Sequence, residues 1–139
     1  MQRETIIKIL TTARTIAVVG CSQHPHKAAH SVPAEMQAAG YTIVPVNPTA
    51  DEILGVRAYR SLADIPFPVD LVNVFRPSPE APGIAEQAVK IGASGLWLQL
   101  GLRSDRAAAI AREAGLDYVE NRCIAVERVI HGIDPRRAA

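Results

Sequence analysis

The chemistry in this chain concentrates in one loop, Gly20-Cys21-Ser22-Gln23-His24-Pro25-His26-Lys27-Ala28-Ala29-His30. It follows an apolar run, Thr15 to Val19, and precedes a helical pattern. Backbone N–H groups at a helix start attract anions, with roughly half a positive charge at that end. Ser22 adds a hydroxyl donor, Lys27 a full charge, and His24, His26 and His30 switchable ones. One reading is a phosphate cradle; the other is a polar surface loop of no special role. Position directly after the first strand favours the cradle.

Four other groups could carry chemistry. Arg76 ends an apolar run, and its fork can bind two oxygens at once. Gln99 is a polar residue inside an apolar run and suits either a ligand or unpaired backbone groups. Cys21 lies beside three histidines, so it is either a reactive thiolate or a small buried residue, and the second is the commoner role. Cys123 begins the last helical pattern, where a helix dipole would lower its pKa. Phe75 and Trp97 read first as core. We find no Ser-His-Asp or Cys-His order, no paired carboxylates and no metal-ligand spacing, and two cysteines do not make a disulfide framework.

These residues need a scaffold. Ile6, Leu10 and Ala13 share one face of a helix over about residues 3–13. Strands are expected at Thr15–Val19, Thr42–Val46, Leu71–Phe75, Leu96–Leu100 and Tyr118–Val119. Helices are expected from Ser31 to Gly40 with Pro33 in the first turn, Glu80 to Ile91, Ser104 (as N-cap) to Ala114, and Ile124 to Ile130. Pro45 cannot donate to a ladder, so its strand should lack a neighbour on one side. Asn47 to Pro68 reads as turns around a short helix near 61–65, and Arg136-Arg137 as a frayed tail.

Alternating strands and helices require crossovers and a parallel sheet. Strands apolar on both faces suit a sheet covered on both sides. The expected fold is therefore α/β, a three-layer open doubly wound parallel five-stranded sheet. In such folds ligands bind at the carboxyl ends of the strands, which again selects the loop from Gly20 to His30. The dinucleotide fingerprint G-x-G-x-x-G fails, because Ser22 and Pro25 stand at its second and third glycine positions. The strand that should end in an acidic ribose ligand ends instead in Val46-Asn47-Pro48, with Asp51 past the turn. NAD is disfavoured, and an adenine nucleotide bound differently is the better candidate.

The chain has 139 residues, the size of one domain, which at that length buries about 70% of its unfolded surface. Apolar residues make up 48% and charged residues 21%, excluding disorder and coiled coil for the whole chain. With 15 basic against 14 acidic residues and 4% aromatics, a nucleic-acid surface is not expected. The absence of an 18-residue apolar window and of a cleavable signal pattern gives a cytoplasmic expectation, without membrane contact.

T-I-A-V-V-G-C-S (15–22) with Lys27 resembles the first strand and loop of the CoA-binding protein family. That family is the small Rossmann-type domain similar to the N-terminal part of the succinyl-CoA synthetase α subunit. Y-T-I-V-P-V-N-P (41–48), I-L-G-V-R-A-Y-R-S-L-A-D-I-P (53–66), V-D-L-V-N-V-F-R-P (69–77), G-L-W-L-Q-L-G (95–101) and N-R-C-I-A-V-E (121–127) follow in the family's order. The resemblance implies a Rossmann-like sheet, to which we assign strand order 3-2-1-4-5, and one CoA-binding domain over residues 1–139. It also implies coenzyme A or an acyl-CoA as ligand. Gly20, Ser22 and Lys27 would face the CoA phosphates, with Cys21 and His30 in the same loop. Val46, Asn47 and Pro48 would lie near the adenosine. Val74, Phe75 and Arg76 would flank the pantetheine or a phosphate, and Gln99 would point toward the thiol end, where Cys123 could meet it in a mixed disulfide.

The ligase relatives carry further domains with a phosphorylated histidine, for which 139 residues leave no room. None of His24, His26, His30 or His131 has a matching context. The expected function is therefore CoA binding without intrinsic catalysis, as a carrier, sensor or regulatory module. The alternatives are a small NAD(P)-linked oxidoreductase or acyl-transfer component, and an interaction domain that has lost the ligand. A second copy or a partner enzyme stays open as a neighbour.

Overall fold

A computed structural model describes residues 2–137. In chain order the elements are α1 (Gln2–Thr12), β1 (Thr15–Val19), α2 (Ala28–Ala39), β2 (Thr42–Val46), β3 (Glu52–Ile53), β4 (Val56–Arg57), β5 (Leu71–Val74), α3 (Ala81–Lys90), β6 (Gly95–Leu98), α4 (Asp105–Glu113), β7 (Asp117–Val119) and α5 (Ile124–Ile130). The five long strands form one parallel sheet in the order β2-β1-β5-β6-β7.

The α/β, doubly wound, Rossmann-like architecture is the one expected, but the order 3-2-1-4-5 is not. Counting only the five long strands, the order is 2-1-3-4-5, with the second strand at the edge. Pro45 gives the reason. Its carbonyl accepts from Tyr59 N–H (2.9 Å) on the outer side of β2, away from β1. A parallel neighbour there would need a donor that proline lacks. Among the described residues Tyr59 alone pairs with this edge, its carbonyl also accepting from Asn47 N–H (2.9 Å).

Alternation along the strands divides the core. Ile16, Val18, Ile43, Leu71 and Trp97 pack with Ile6, Ile9 and Leu10 of α1, Met36 of α2 and Ile124 of α5. Ala17, Val44, Val72, Val74, Leu96 and Leu98 pack on the other face with Ala85 and Ala88 of α3 and Ala107 and Ala111 of α4. Both faces are covered, so the strands of the five-stranded sheet carry apolar residues on both sides. Ser104 caps α4 as expected, its Oγ accepting from Ala107 N–H (3.0 Å).

Three local expectations need correction. First, α2 begins at Ala28, so Pro33 lies inside the helix. Proline removes the donor that Ala29 C=O would otherwise receive. That carbonyl instead accepts from Ser22 N–H (3.0 Å), tying the loop to the helix. Second, the stretch after Asn47 contains the hairpin β3–β4 as well as the short 3₁₀ turn Leu62–Asp64. Its turn residues Leu54 and Gly55 both have positive φ, +57° and +74°, the geometry of a two-residue hairpin loop. Leu54 tolerates this because its side chain packs on the core and its carbonyl accepts from Gln37 Nε2 (3.1 Å). Third, Arg136 and Arg137 belong to a 3₁₀ turn, with Arg136 Nε 3.3 Å from Asp134 Oδ1.

Candidate functional site

α2 leaves β1 toward one face of the sheet, and α3 leaves β5 toward the other. β1 and β5 are neighbours, so the winding reverses between them and opens a crevice at their carboxyl ends. Gly20 follows β1 and Phe75-Arg76 follows β5, which puts Gly20 and Arg76 at the mouth of the crevice. Gly20 has φ of +89°, and a Cβ there would stand 2.9 Å from Arg76 Cδ and 3.0 Å from the Phe75 carbonyl. Glycine is thus required both by its conformation and by the Arg76 stem laid across it.

The loop beyond Gly20 is held by its own polar groups. Gly20 N–H donates to Val46 C=O (3.1 Å) and His24 N–H to Ser22 Oγ (3.0 Å). His30 Nδ1 lies 2.7 Å from the Ser22 carbonyl, an arrangement that requires the proton on Nδ1. Asn47 Nδ2 donates to Cys21 C=O (2.9 Å), while its Oδ1 accepts from Thr49 and Ala50 N–H groups. The loop is therefore clamped to α2 through Ser22 and to the end of β2 through Asn47.

A cleft of about 620 Å³ opens here. Of the residues expected from sequence, Gly20, Cys21, Ser22, Lys27, Val46, Asn47, Pro48 and Arg76 line it together. His30, Val74, Phe75 and Gln99 are outside its lining. His30 is behind the loop on the Ser22 carbonyl, Val74 is wholly buried and Phe75 packs on the core. Gln99 is buried, with its Oε1 accepting from Ile124 N–H and Asn73 Nδ2, both at 3.3 Å. In this structure Gln99 satisfies neighbouring polar groups, the second of the two roles its sequence position allowed.

The charges of the cleft are unevenly paired. Lys27, at the N-cap of α2, has no ion-pair or hydrogen-bonded side-chain partner among the described residues. Arg76 meets Glu80 through two contacts, Nη2–Oε2 at 2.8 Å and Nε–Oε1 at 3.2 Å. The hydrogen bond to Glu80 raises the Arg76 pKa, and the same bond lowers that of Glu80. Arg60 reaches the cleft from the other end, held by the Ala50 carbonyl and the Asp51 carboxylate, each at 2.6 Å. Cys21 is 1% exposed, and burial pushes its thiol up to about 12. It is a small buried residue, not a reactive thiolate at neutral pH.

Sequence reasoning missed Arg60, Ser61, Glu80 and Gln87 in this lining. Glu80 carried a signal, because it stands four residues after Arg76 at the start of a helix. Arg60 carried little, since only the hairpin brings it back to Ala50. A second concavity of about 760 Å³ lies beside that hairpin, lined by Asp51, Glu52, Arg57, Tyr59, Arg60 and Asp64. It shares Arg60 with the cleft, and its Arg60 and Asp51 side chains form an ion pair at 2.6 Å.

Known proteins of similar sequence and fold give the chain its family. Residues 14–129 match the model of a family described as a CoA binding domain. The chain is 44% identical over 125 residues to the uncharacterized protein YneT of Bacillus subtilis, covering 90% of this chain and 93% of that protein. A hypothetical protein from Pyrococcus horikoshii OT3 superposes with a TM-score of 0.89 at 37% identity, over 94% of this chain and 92% of that one. The ADP-forming acetate–CoA ligase of Methanocaldococcus jannaschii is 27% identical over 93 residues, which are 67% of this chain but only 13% of the ligase.

Proposed function

The chain belongs to the CoA binding domain family, and we propose that its switch-point cleft binds coenzyme A or a CoA thioester through the phosphates, without intrinsic catalysis. In this reading residues 1–139 act as one binding unit that serves as a carrier, a sensor or a regulatory module. The observation that carries it is the convergence of the Gly20 turn, the unpaired Lys27 and Arg76 on one cleft at the carboxyl ends of β1 and β5. CoA is a polyanion, and these groups supply two cations, a hydroxyl and backbone donors.

Residues fit the ligand by position. Gly20, Ser22, Lys27 and Arg76 form the phosphate pole, with Cys21 beside them in the lining and His30 holding the loop through the Ser22 carbonyl. Val46, Asn47 and Pro48 form the adenosine corner. Val74 and Phe75 underlie the passage of the pantetheine, and Gln99 stands beneath the thiol end. NAD fits less well. Asn47 stands where an acidic ribose ligand would be needed, and its side chain is already engaged by Cys21, Thr49 and Ala50.

Titration calorimetry with CoA, acetyl-CoA, NAD and AMP tests the proposal. We expect binding of the CoA species, and expect Lys27→Ala and Arg76→Ala each to weaken it by about 1.5–3 kcal/mol, the worth of a charged hydrogen bond. Heat with NAD and none with any CoA species would overturn the function. Unchanged affinity in both variants would overturn the placement. Mass spectrometry of the protein as purified offers an independent check, since tightly held CoA would survive isolation.

A further inference from the structure

Glu80 belongs to the cleft, yet its charge opposes any anion bound there. It ends the 3₁₀ turn Ser78–Glu80, directly before α3, and lines the cleft beside Ile84 and Gln87 of that helix. Its two oxygens take the Nε and Nη2 edge of the Arg76 guanidinium, at 3.2 and 2.8 Å. That is the same two-point geometry by which a guanidinium grips a phosphate. The Arg76 stem passes over Gly20, its Cδ 2.9 Å from where a Cβ would stand if residue 20 carried one. A ligand that takes both Nε and Nη2 of Arg76 must therefore displace Glu80 from them. Among the described residues Lys27 is left as the cleft cation without a carboxylate.

We propose that Glu80 is a specificity-determining residue, a built-in carboxylate that competes with the ligand for Arg76. The proposal rests on the reading of this cleft as the CoA phosphate site. A single phosphate gains too little from Arg76 to offset the loss of the Glu80 contact and the repulsion from its carboxylate. A ligand that also reaches Lys27 with a second phosphate gains enough. Glu80 thus raises the threshold of the site toward ligands carrying several phosphates.

The test is a double-mutant cycle on the whole chain, read by calorimetry with CoA and with inorganic phosphate. Glu80→Gln keeps the size of the side chain while removing its charge and one of its two acceptors for Arg76. It should tighten CoA by about two- to fivefold at low salt, the strength of an exposed ion pair. The gain should shrink as salt screens the pair. Inorganic phosphate should gain by a larger factor, so selectivity for CoA falls; an equal gain for both would overturn the specificity role. In an Arg76→Ala background the same substitution should give no gain.

If wild type binds CoA but Glu80→Gln binds it equally or more weakly, Glu80 only orients Arg76 and the inference falls while the CoA reading stands. An equal gain with and without Arg76 would also overturn it, since the effect would then be general charge. If neither wild type nor Glu80→Gln takes CoA, the reading and the inference fall together. Glu80→Ser, with a thermal melt on each variant, guards against a local folding defect at the start of α3.

Discussion

At the residue scale Gly20 joins conformation to recognition. A φ of +89° is costly for any residue with a Cβ, and a Cβ would also press on Arg76 Cδ and the Phe75 carbonyl. Gly20→Ala is therefore expected to destabilise the fold by about 1–3 kcal/mol. It should also displace the Arg76 stem, so CoA affinity should fall further than stability alone explains. Denaturant unfolding and CoA titration on the same protein separate the two effects. A variant that loses stability but binds CoA normally would show that the Arg76 position does not depend on Gly20. Arg76→Lys would not substitute for the native residue, because an ammonium cannot span both Glu80 oxygens.

At the element scale the turn from β1 to α2 depends on a proline placed where helices seldom accept one. Pro33 leaves the Ala29 carbonyl for Ser22 N–H, which fixes the loop's path back to the helix. Pro33→Ala restores a helical donor to that carbonyl. We expect it to stabilise α2 by on the order of 1 kcal/mol, part of the roughly 3 kcal/mol that separates the two residues in a helix interior. The cost should be a looser loop, faster amide exchange at Ser22 and severalfold weaker CoA binding. Raised stability with unchanged binding would mean that the Ser22–Ala29 bond does not hold the site. Element types were legible from periodicity, and α5 was read to the residue as Ile124–Ile130. The strand order was not, although Pro45 alone already demanded an edge. The hairpin β3–β4 was hidden because Leu54, a poor residue for positive φ, occupies its turn and is paid for by long-range packing. Within the cleft, residues of the β1 loop and the end of β2 were legible as local patterns. Glu80 and Arg60 were not, because their places depend on how α3 and the hairpin fold back.

At the scale of the whole molecule, three buried acids join loop, helices and sheet into one pH response. Cys21 and Tyr41 lie in the layer with α1, α2 and α5, and Tyr118 in the layer with α3 and α4. Burial raises the Cys21 thiol from 9.0 to about 12 and the Tyr41 phenol from 10.0 to about 12. Tyr118 is also raised, by burial first and then by its hydrogen bond to Glu120 Oε1 (2.8 Å). The Tyr41 hydroxyl donates to the Leu10 carbonyl at 2.5 Å, a bond that phenolate would lose. All three folded-state values lie above the unfolded ones, so their contribution is complete below about pH 9 and is lost as pH rises toward the folded values. Each group lowers stability by about 1.4 kcal/mol per pH unit across its own interval. The urea midpoint should therefore hold between about pH 7 and 9, fall above that as Cys21 enters, and steepen above about 10 as the tyrosines join. Tyrosinate absorbance from Tyr41 and Tyr118 should appear together with the loss of tertiary structure, since neither layer can ionise its phenol and stay packed. A midpoint that stays level to about pH 11 would show that these groups ionise inside the intact fold, and would contradict the burial that defines both layers.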